Sequence, residues 1–135
     1  MNRTLILVKP DAFARSLTGE ILTRFERKGL KIAALKHMTV TGELAEQHYA
    51  EHSAKPFFGE LVQFITSGPI VAMVLEGTDA VKAARQVIGA TNPLDASPGS
   101  IRGDFAIEMG QNMVHGSDSD TSAAREAGLF FPELG

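Results

Sequence analysis

Thr4-Leu5-Ile6-Leu7-Val8-Lys9-Pro10-Asp11 is the stretch whose reading decides the fold. Its first five residues form a short apolar run without polar alternation, the pattern of a strand buried on both faces. Lys9-Pro10-Asp11 ends that strand, because proline cannot donate to a central ladder. The next segment, Thr18 to Gly29, reads as a helix. Ile21, Leu22 and Phe25 share one helical face, basic residues fill the last turn where they complement the helix dipole, and Gly29 stands as the stop.

Further along, Leu30 to Val40 is a candidate second strand of imperfect pattern, in which Ala33-Ala34 would suit a helix equally well. Thr41 can cap a helix beginning near Gly42, with Leu44 and Tyr49 pointing inward. Pro56 is expected to open another helix, since Phe57, Leu61, Phe64 and Ile65 recur at helical spacing. After the Gly68-Pro69 turn, Ile70 to Leu75 is a second clear strand, and Asp79 caps a helix running to about Ile88. Residues 89–103 are rich in Gly, Pro, Ser, Asn and Asp, and a loop of that length in a compact domain is usually functional or disordered. Val114-His115 reads as a short strand end. Ser117-Asp118-Ser119 then starts a helix to about Ala127, and Leu129 to Pro132 form an apolar tail that packs back. Strands alternating with helices imply a layered α/β sandwich.

The bulk composition narrows the function. The chain has 135 residues, enough for one domain over 1–135. Hydrophobic residues make up 44% and charged residues 21%, which supports a packed core. There is no cysteine, so disulfides, thiol nucleophiles and cysteine-ligated metals are excluded. Thirteen basic against 16 acidic residues leave a net charge of −3, a poor match to a nucleic-acid coat. No apolar run spans a bilayer or forms a signal-peptide core, so the expected location is cytoplasmic.

Chemistry concentrates around Asn112-Met113-Val114-His115-Gly116-Ser117-Asp118. A lone histidine beside apolar residues is ordinarily a packed core residue. Here Gly116 is expected to leave space beside the ring, Ser117 supplies a hydroxyl, and Glu126 follows on the next helix. A carboxylate on one ring nitrogen would fix the tautomer and leave the other as a nucleophile. Spacing alone does not bring Glu126 to the ring; by helix geometry it reads as a solvated surface residue. Lys9 follows a buried strand, where α/β folds place ligands. Arg85 precedes the long loop, Thr91 lies in it and Arg102 ends it. Singly these are surface charges; converging, they would suit a triphosphate. Of Phe57 and Phe58, one is expected in the core and the other free to stack on a base. Tyr49, the only tyrosine, reads as a boundary residue. His48 and His52 have a zinc-compatible spacing, but the metalloprotease pattern fails and they read as a surface pair. No phosphate-loop or dinucleotide fingerprint occurs.

The segment from Asn112 to Asp118 closely resembles the active-site signature of nucleoside diphosphate kinases. So do Lys9-Pro10-Asp11, His48-Tyr49, Lys55-Pro56-Phe57-Phe58, Thr91-Asn92-Pro93 and the stretch from Pro98 to Phe105, in order and over essentially the whole chain. The resemblance implies a ferredoxin-like fold with a four-stranded antiparallel sheet. It implies that His115 accepts a phosphoryl group through its δ nitrogen while Glu126 holds the other nitrogen with Ser117 nearby. Lys9 and Asn112 would contact the sugar hydroxyl, Lys9 also reaching the transferred phosphate, with Tyr49 beside the histidine. Arg85, Thr91 and Arg102 would hold the distal phosphates and Phe57 would stack on the base. The implied substrates are nucleoside di- and triphosphates, with Mg2+ travelling on the phosphates rather than in a protein cage, and the implied assembly is a homohexamer, tetramers being the other form. Phe130 stands where many relatives carry Trp, and the C-terminal extension that helps cement the oligomer in longer relatives is not expected here. A nucleotide-binding regulatory module of the same fold is the alternative.

Overall fold

The computed structural model describes residues 2–134. Four strands form one antiparallel sheet: β1 (Asn2–Val8), β2 (Lys31–Met38), β3 (Ile70–Gly77) and β4 (Val114–Gly116), in the order β2-β3-β1-β4. Seven helices accompany them: α1 (Pro10–Ala14), α2 (Thr18–Lys28), α3 (Gly42–His48), α4 (Phe58–Ile65), α5 (Ala80–Ile88), α6 (Ile101–Phe105) and α7 (Asp120–Phe130). This is the ferredoxin-like arrangement expected from the resemblance, and the alternation of strands and helices does not make the sheet parallel.

β1 is central because its neighbours are β3 and β4 and both its faces are covered, as its unbroken apolar run requires. Alternate residues serve two cores. Ile6 and Val8, with Val71, Met73 and Leu75 of β3, meet Ile21 and Phe25 of α2, Ala84 and Ile88 of α5, and Ile101 of α6. Leu5 and Leu7, with Ala72 and Val74, meet Ala45 of α3, Ile65 of α4 and Phe130 of α7. The period of two along the strand thus places one half of the run under each helical layer.

Local signals account for most boundaries. Gly29 ends α2 in the left-handed conformation at φ 107°, a region open to glycine without a Cβ penalty. Thr41 caps α3 by accepting a hydrogen bond from the Leu44 N–H, and Ser119 caps α7 by accepting from the Ser122 N–H. Of the ambiguous Leu30–Val40 segment, Lys31–Met38 is strand, with a register shift between Ile32 and Ala34 where the alanines break the pattern.

Other expectations need correction. Pro56 does not open α4; the helix starts two residues later, at Phe58, and of its apolar residues only Ile65 is fully buried. Leu44 and Tyr49 do pack inward, half-buried against the core, but the fully buried residues of α3 are Ala45 and His48. Asp79 stands at the N-cap of α5, yet at φ 50° its side chain makes no capping bond. The long loop folds a 3-10 turn at Pro93–Asp95 and then α6, and α1 had no helical signal beyond Pro10 at its first position. No helix of the described residues is long and apolar enough to cross a membrane.

Phe25 is fully buried between α2 and the sheet. Phe25→Ala should lower stability by roughly 3–5 kcal/mol, read from urea unfolding midpoints, and a loss below about 1 kcal/mol would mean that this face of the sheet is loosely packed.

Candidate active site

β4 is only three residues long, and its register on β1 aims its side chains. Val8 pairs with Val114, Leu7 with His115 and Ile6 with Gly116. Paired residues share a face, so His115 stands on the Leu5–Leu7 side, the side that α3 and α7 cover. Gly116 faces the other way, where a Cβ would meet Ile88 Cδ1 at 2.5 Å and Ile6 Cδ1 at 3.4 Å. The glycine therefore lets α5 press against β4, and it also lines the cavity beside His115.

The helix after β4 returns Glu126 to the ring. His115 Nε2 lies 3.0 Å from Glu126 Oε1, and the same oxygen accepts a 2.7 Å hydrogen bond from Ser117 Oγ. Ser117 is held in turn by the Leu5 N–H, which donates to its Oγ at 3.1 Å. Glu126 is 5% exposed, against the surface position that helix geometry alone suggests, and Ser117 is fully buried. Burial pushes the Glu126 carboxyl up, but the hydrogen bonds from His115 and Ser117 and the nearby imidazole charge outweigh it and hold the group below its ordinary value. An ionised carboxylate is an acceptor only, so Nε2 is the donor, and in the neutral ring the lone pair is on Nδ1.

His115 opens onto a cavity of about 800 Å³. Lys9, Arg85 and Arg102 line it together, so the three cations converge. Among the described residues none of the three forms an ion pair with a carboxylate. Lys9 Nζ donates to Asn112 Oδ1 at 2.8 Å, and Arg102 donates from Nε to the Asn112 carbonyl at 3.2 Å and from Nη2 to the Val114 carbonyl at 2.7 Å. Burial and the adjacent Arg102 depress Lys9 to about 8, with Asp11 opposing. Burial and Arg85 depress Arg102 to about 10. Mutually repelling, partly desolvated cations held in no ion pair form a site for an anion.

The remaining expected residues fall on the same walls. Thr91 lines the cavity, and its carbonyl accepts from Asn112 Nδ2 at 3.1 Å. Phe57 stands at the rim, 43% exposed, while Phe58 is half-buried. Tyr49 lines the cavity and packs edge-on against His48, with burial and then Glu126 pushing its hydroxyl up to about 12. Ser117 alone of the expected residues is absent from the wall, because it sits behind Glu126.

His48 is the residue that sequence reasoning missed. It is not a surface residue: it is 4% exposed, with its ring edge-on to His115 at 4.7 Å and to Phe130 at 5.4 Å. Burial and then the neighbouring His115 drive it down to about 3, so it is neutral. Its place three residues after Ala45 and four after Leu44, on the inward face of α3, was the available signal. Asp118, Glu108 and Met109 also line the cavity without having been singled out.

His48, His115 and Glu126 place one donor atom each within 4.8 Å of the others. Two imidazoles and a carboxylate already in a hydrogen bond do not suit magnesium, which prefers an octahedron of oxygens. These residues form no protein cage for that ion.

The nucleoside diphosphate kinase family model matches residues 2–134. A nucleoside diphosphate kinase of Parafrankia sp. (strain EAN1pec) is 64% identical over 133 residues, covering 98% of this chain and 97% of that protein. One from Mycobacterium bovis (strain BCG / Pasteur 1173P2) is 62% identical over 132 residues, covering 97% of each. Among solved structures, a halophilic nucleoside diphosphate kinase from Halobacterium salinarum in complex with CDP superposes with a TM-score of 0.94 at 53% identity, over 96% of this chain and 87% of that one. A nucleoside diphosphate kinase family protein from Babesia bovis gives 0.96 at 49% identity, over 98% and 90%.

The depressed His48 has a consequence for acid stability. An unfolded chain takes up that proton near the ordinary histidine value of about 6.5, whereas the folded chain resists until about 3. Stability therefore falls as pH drops through that window, by about 1 kcal/mol per pH unit from this group. In urea unfolding at pH 7 and pH 5, the stability advantage of wild type over His48→Gln should shrink accordingly; parallel pH dependences would show that His48 is not held neutral.

Proposed function

We propose that this chain, which belongs to the nucleoside diphosphate kinase family and has that family's phosphotransferase activity, runs the reaction through a phosphorylated His115. The observation that carries this reading is the two-sided setting of the imidazole. A buried carboxylate accepts a hydrogen bond from its Nε2 at 3.0 Å on one side, and a cavity bearing three unpaired cations opens on the other.

The cycle has two similar halves. In the first, the Nδ1 lone pair attacks the γ-phosphorus of a triphosphate. The phosphorus–nitrogen bond forms as the bond to the β–γ bridging oxygen breaks, and the diphosphate leaves with that electron pair. In the second half, a terminal oxygen of an incoming diphosphate attacks the phosphohistidine and the imidazole leaves neutral. Phosphoryl transfer needs positioning and charge stabilisation more than elaborate proton chemistry. Arg85, Arg102 and Thr91 hold the distal phosphates, and Lys9 reaches the transferred group. Lys9 and Asn112, joined at 2.8 Å, face the sugar hydroxyl. Glu126 and Ser117 keep the ring oriented while Nδ1 gains and loses its phosphoryl group, with Tyr49 beside it. Magnesium enters as part of the substrate, on the nucleotide phosphates, where it neutralises charge.

One cavity serving both halves implies ping-pong kinetics. The rim position of Phe57 supports recognition of the base by stacking alone, which leaves no edge donor or acceptor unpaired when bases are exchanged. The CDP complex of the Halobacterium salinarum relative supports a nucleoside diphosphate as the ligand. We further propose one catalytic domain over 1–135, a cytoplasmic location and a homohexamer, with a tetramer as the other assembly.

Intact-mass measurement after exposure to a triphosphate tests the cycle. A single phosphoryl adduct should form and should disappear on adding diphosphates of any of the common bases, while His115→Ala should form none. An adduct retained in His115→Ala would remove His115 from the nucleophile's role. Nucleotide binding without any adduct would make the chain a non-catalytic binding module.

A further inference from the structure

Met113 is a buried, non-glycine residue at φ 75°, inside the left-handed region that an L side chain rarely adopts. It stands between Asn112 and the strand that carries His115. The backbone there is therefore bent against its own preference, and something must hold it.

Two groups from one short segment do so. The Met113 N–H donates to Asp11 Oδ2 at 3.0 Å, and the Met113 carbonyl accepts from the Lys9 N–H at 3.0 Å. Asp11 is on α1, about a hundred residues earlier in the chain. Its other oxygen, Oδ1, is buried and has no hydrogen-bond partner.

The kink controls both sides of the site. Before it, Asn112 accepts from Lys9 Nζ through Oδ1, donates to the Thr91 carbonyl, and offers its own carbonyl to Arg102 Nε. After it, the Val114 carbonyl accepts from Arg102 Nη2, and His115 is the next residue. A turn at Met113 thus sets where the cations and the sugar contact lie relative to the imidazole.

We propose that Asp11 is a positioning residue for the phosphoryl transfer: its carboxylate pins the Met113 kink and so registers Asn112 and Lys9 against His115. The inference rests on the phosphohistidine reading above, and the two fail separately. Wild-type enzyme that forms no phosphohistidine sinks that reading; wild-type phosphohistidine with Asp11 variants unaffected sinks only this one.

The same carboxylate is the anionic neighbour of Lys9. The charged groups acting on Lys9 are Arg102 of α6, which lowers it, and Asp11 of α1, which raises it; burial lowers it further, to about 8. His48 of α3, also within range of Lys9, is neutral there. Removing the Asp11 charge lowers Lys9 further, so its charge is lost at lower pH.

Two variants test this together. Asp11→Ala removes the acceptor and the charge, and kcat/KM for phosphoenzyme formation should fall on the order of tenfold to a hundredfold, as misplacement by about an ångström does. Asp11→Asn keeps an oxygen for the Met113 N–H but not the charge. It should recover most of the rate near pH 7, while the alkaline limb of its kcat/KM profile moves to lower pH than in wild type. Wild-type kinetics in Asp11→Ala, with only a lowered Tm, would overturn the proposal. So would an Asp11→Asn enzyme with an unmoved alkaline limb, a result that decides the matter even if Asp11→Ala does not fold.

Discussion

The hydrogen bond between the Glu126 carboxylate and His115 Nε2 is the constraint on which the rest of the site depends. It needs a carboxylate removed from water, and therefore a second donor to keep it ionised there, which Ser117 supplies. Ser117 is positioned by the Leu5 N–H, so the chain of contacts ends in the central strand. The buried run that organises the sheet thus also anchors the back of the imidazole. Register matters for the same reason: a slip of one residue between β1 and β4 would turn His115 into the α5 layer, where Gly116 now packs under Ile88.

In front of the imidazole the balance is reversed. Lys9 and Arg102 lose hydration and repel neighbouring cations; Asp11 offsets this only in part at Lys9, and neither cation forms an ion pair among the described residues. Their hydrogen bonds run to Asn112 and to backbone carbonyls, which orient them without neutralising them. Such an arrangement costs stability in the free protein and is relieved by an anion. In the proposed transfer, negative charge behind the ring and positive charge in front would polarise the imidazole along its direction.

Much of the fold was legible because its signals are local. The run from Leu5 to Val8, the Gly29 stop and the Thr41 cap each depend on neighbours in sequence, and each element stands where those residues put it. The antiparallel order of the strands was not legible from alternation; it came from the family resemblance. Long-range placement is what residues alone could not supply. Glu126 reads as a surface residue until α7 is docked on β1, and His48 reads as half of an exposed pair until α3 is docked on His115. Gly116 lines the cavity, but the close approach of Ile88 on its other side was not legible. The bent backbone at Met113 carried no sequence signal, because methionine is not a residue that marks a left-handed turn.

Nitrogen-15 and phosphorus-31 NMR of the phosphoenzyme, prepared with labelled histidine, tests the central claim most directly. With Nε2 engaged by Glu126, the phosphorus should couple to Nδ1 of His115 while Nε2 keeps its proton. Coupling of the phosphorus to Nε2 would contradict the account, because the carboxylate could not then be what orients the nucleophile.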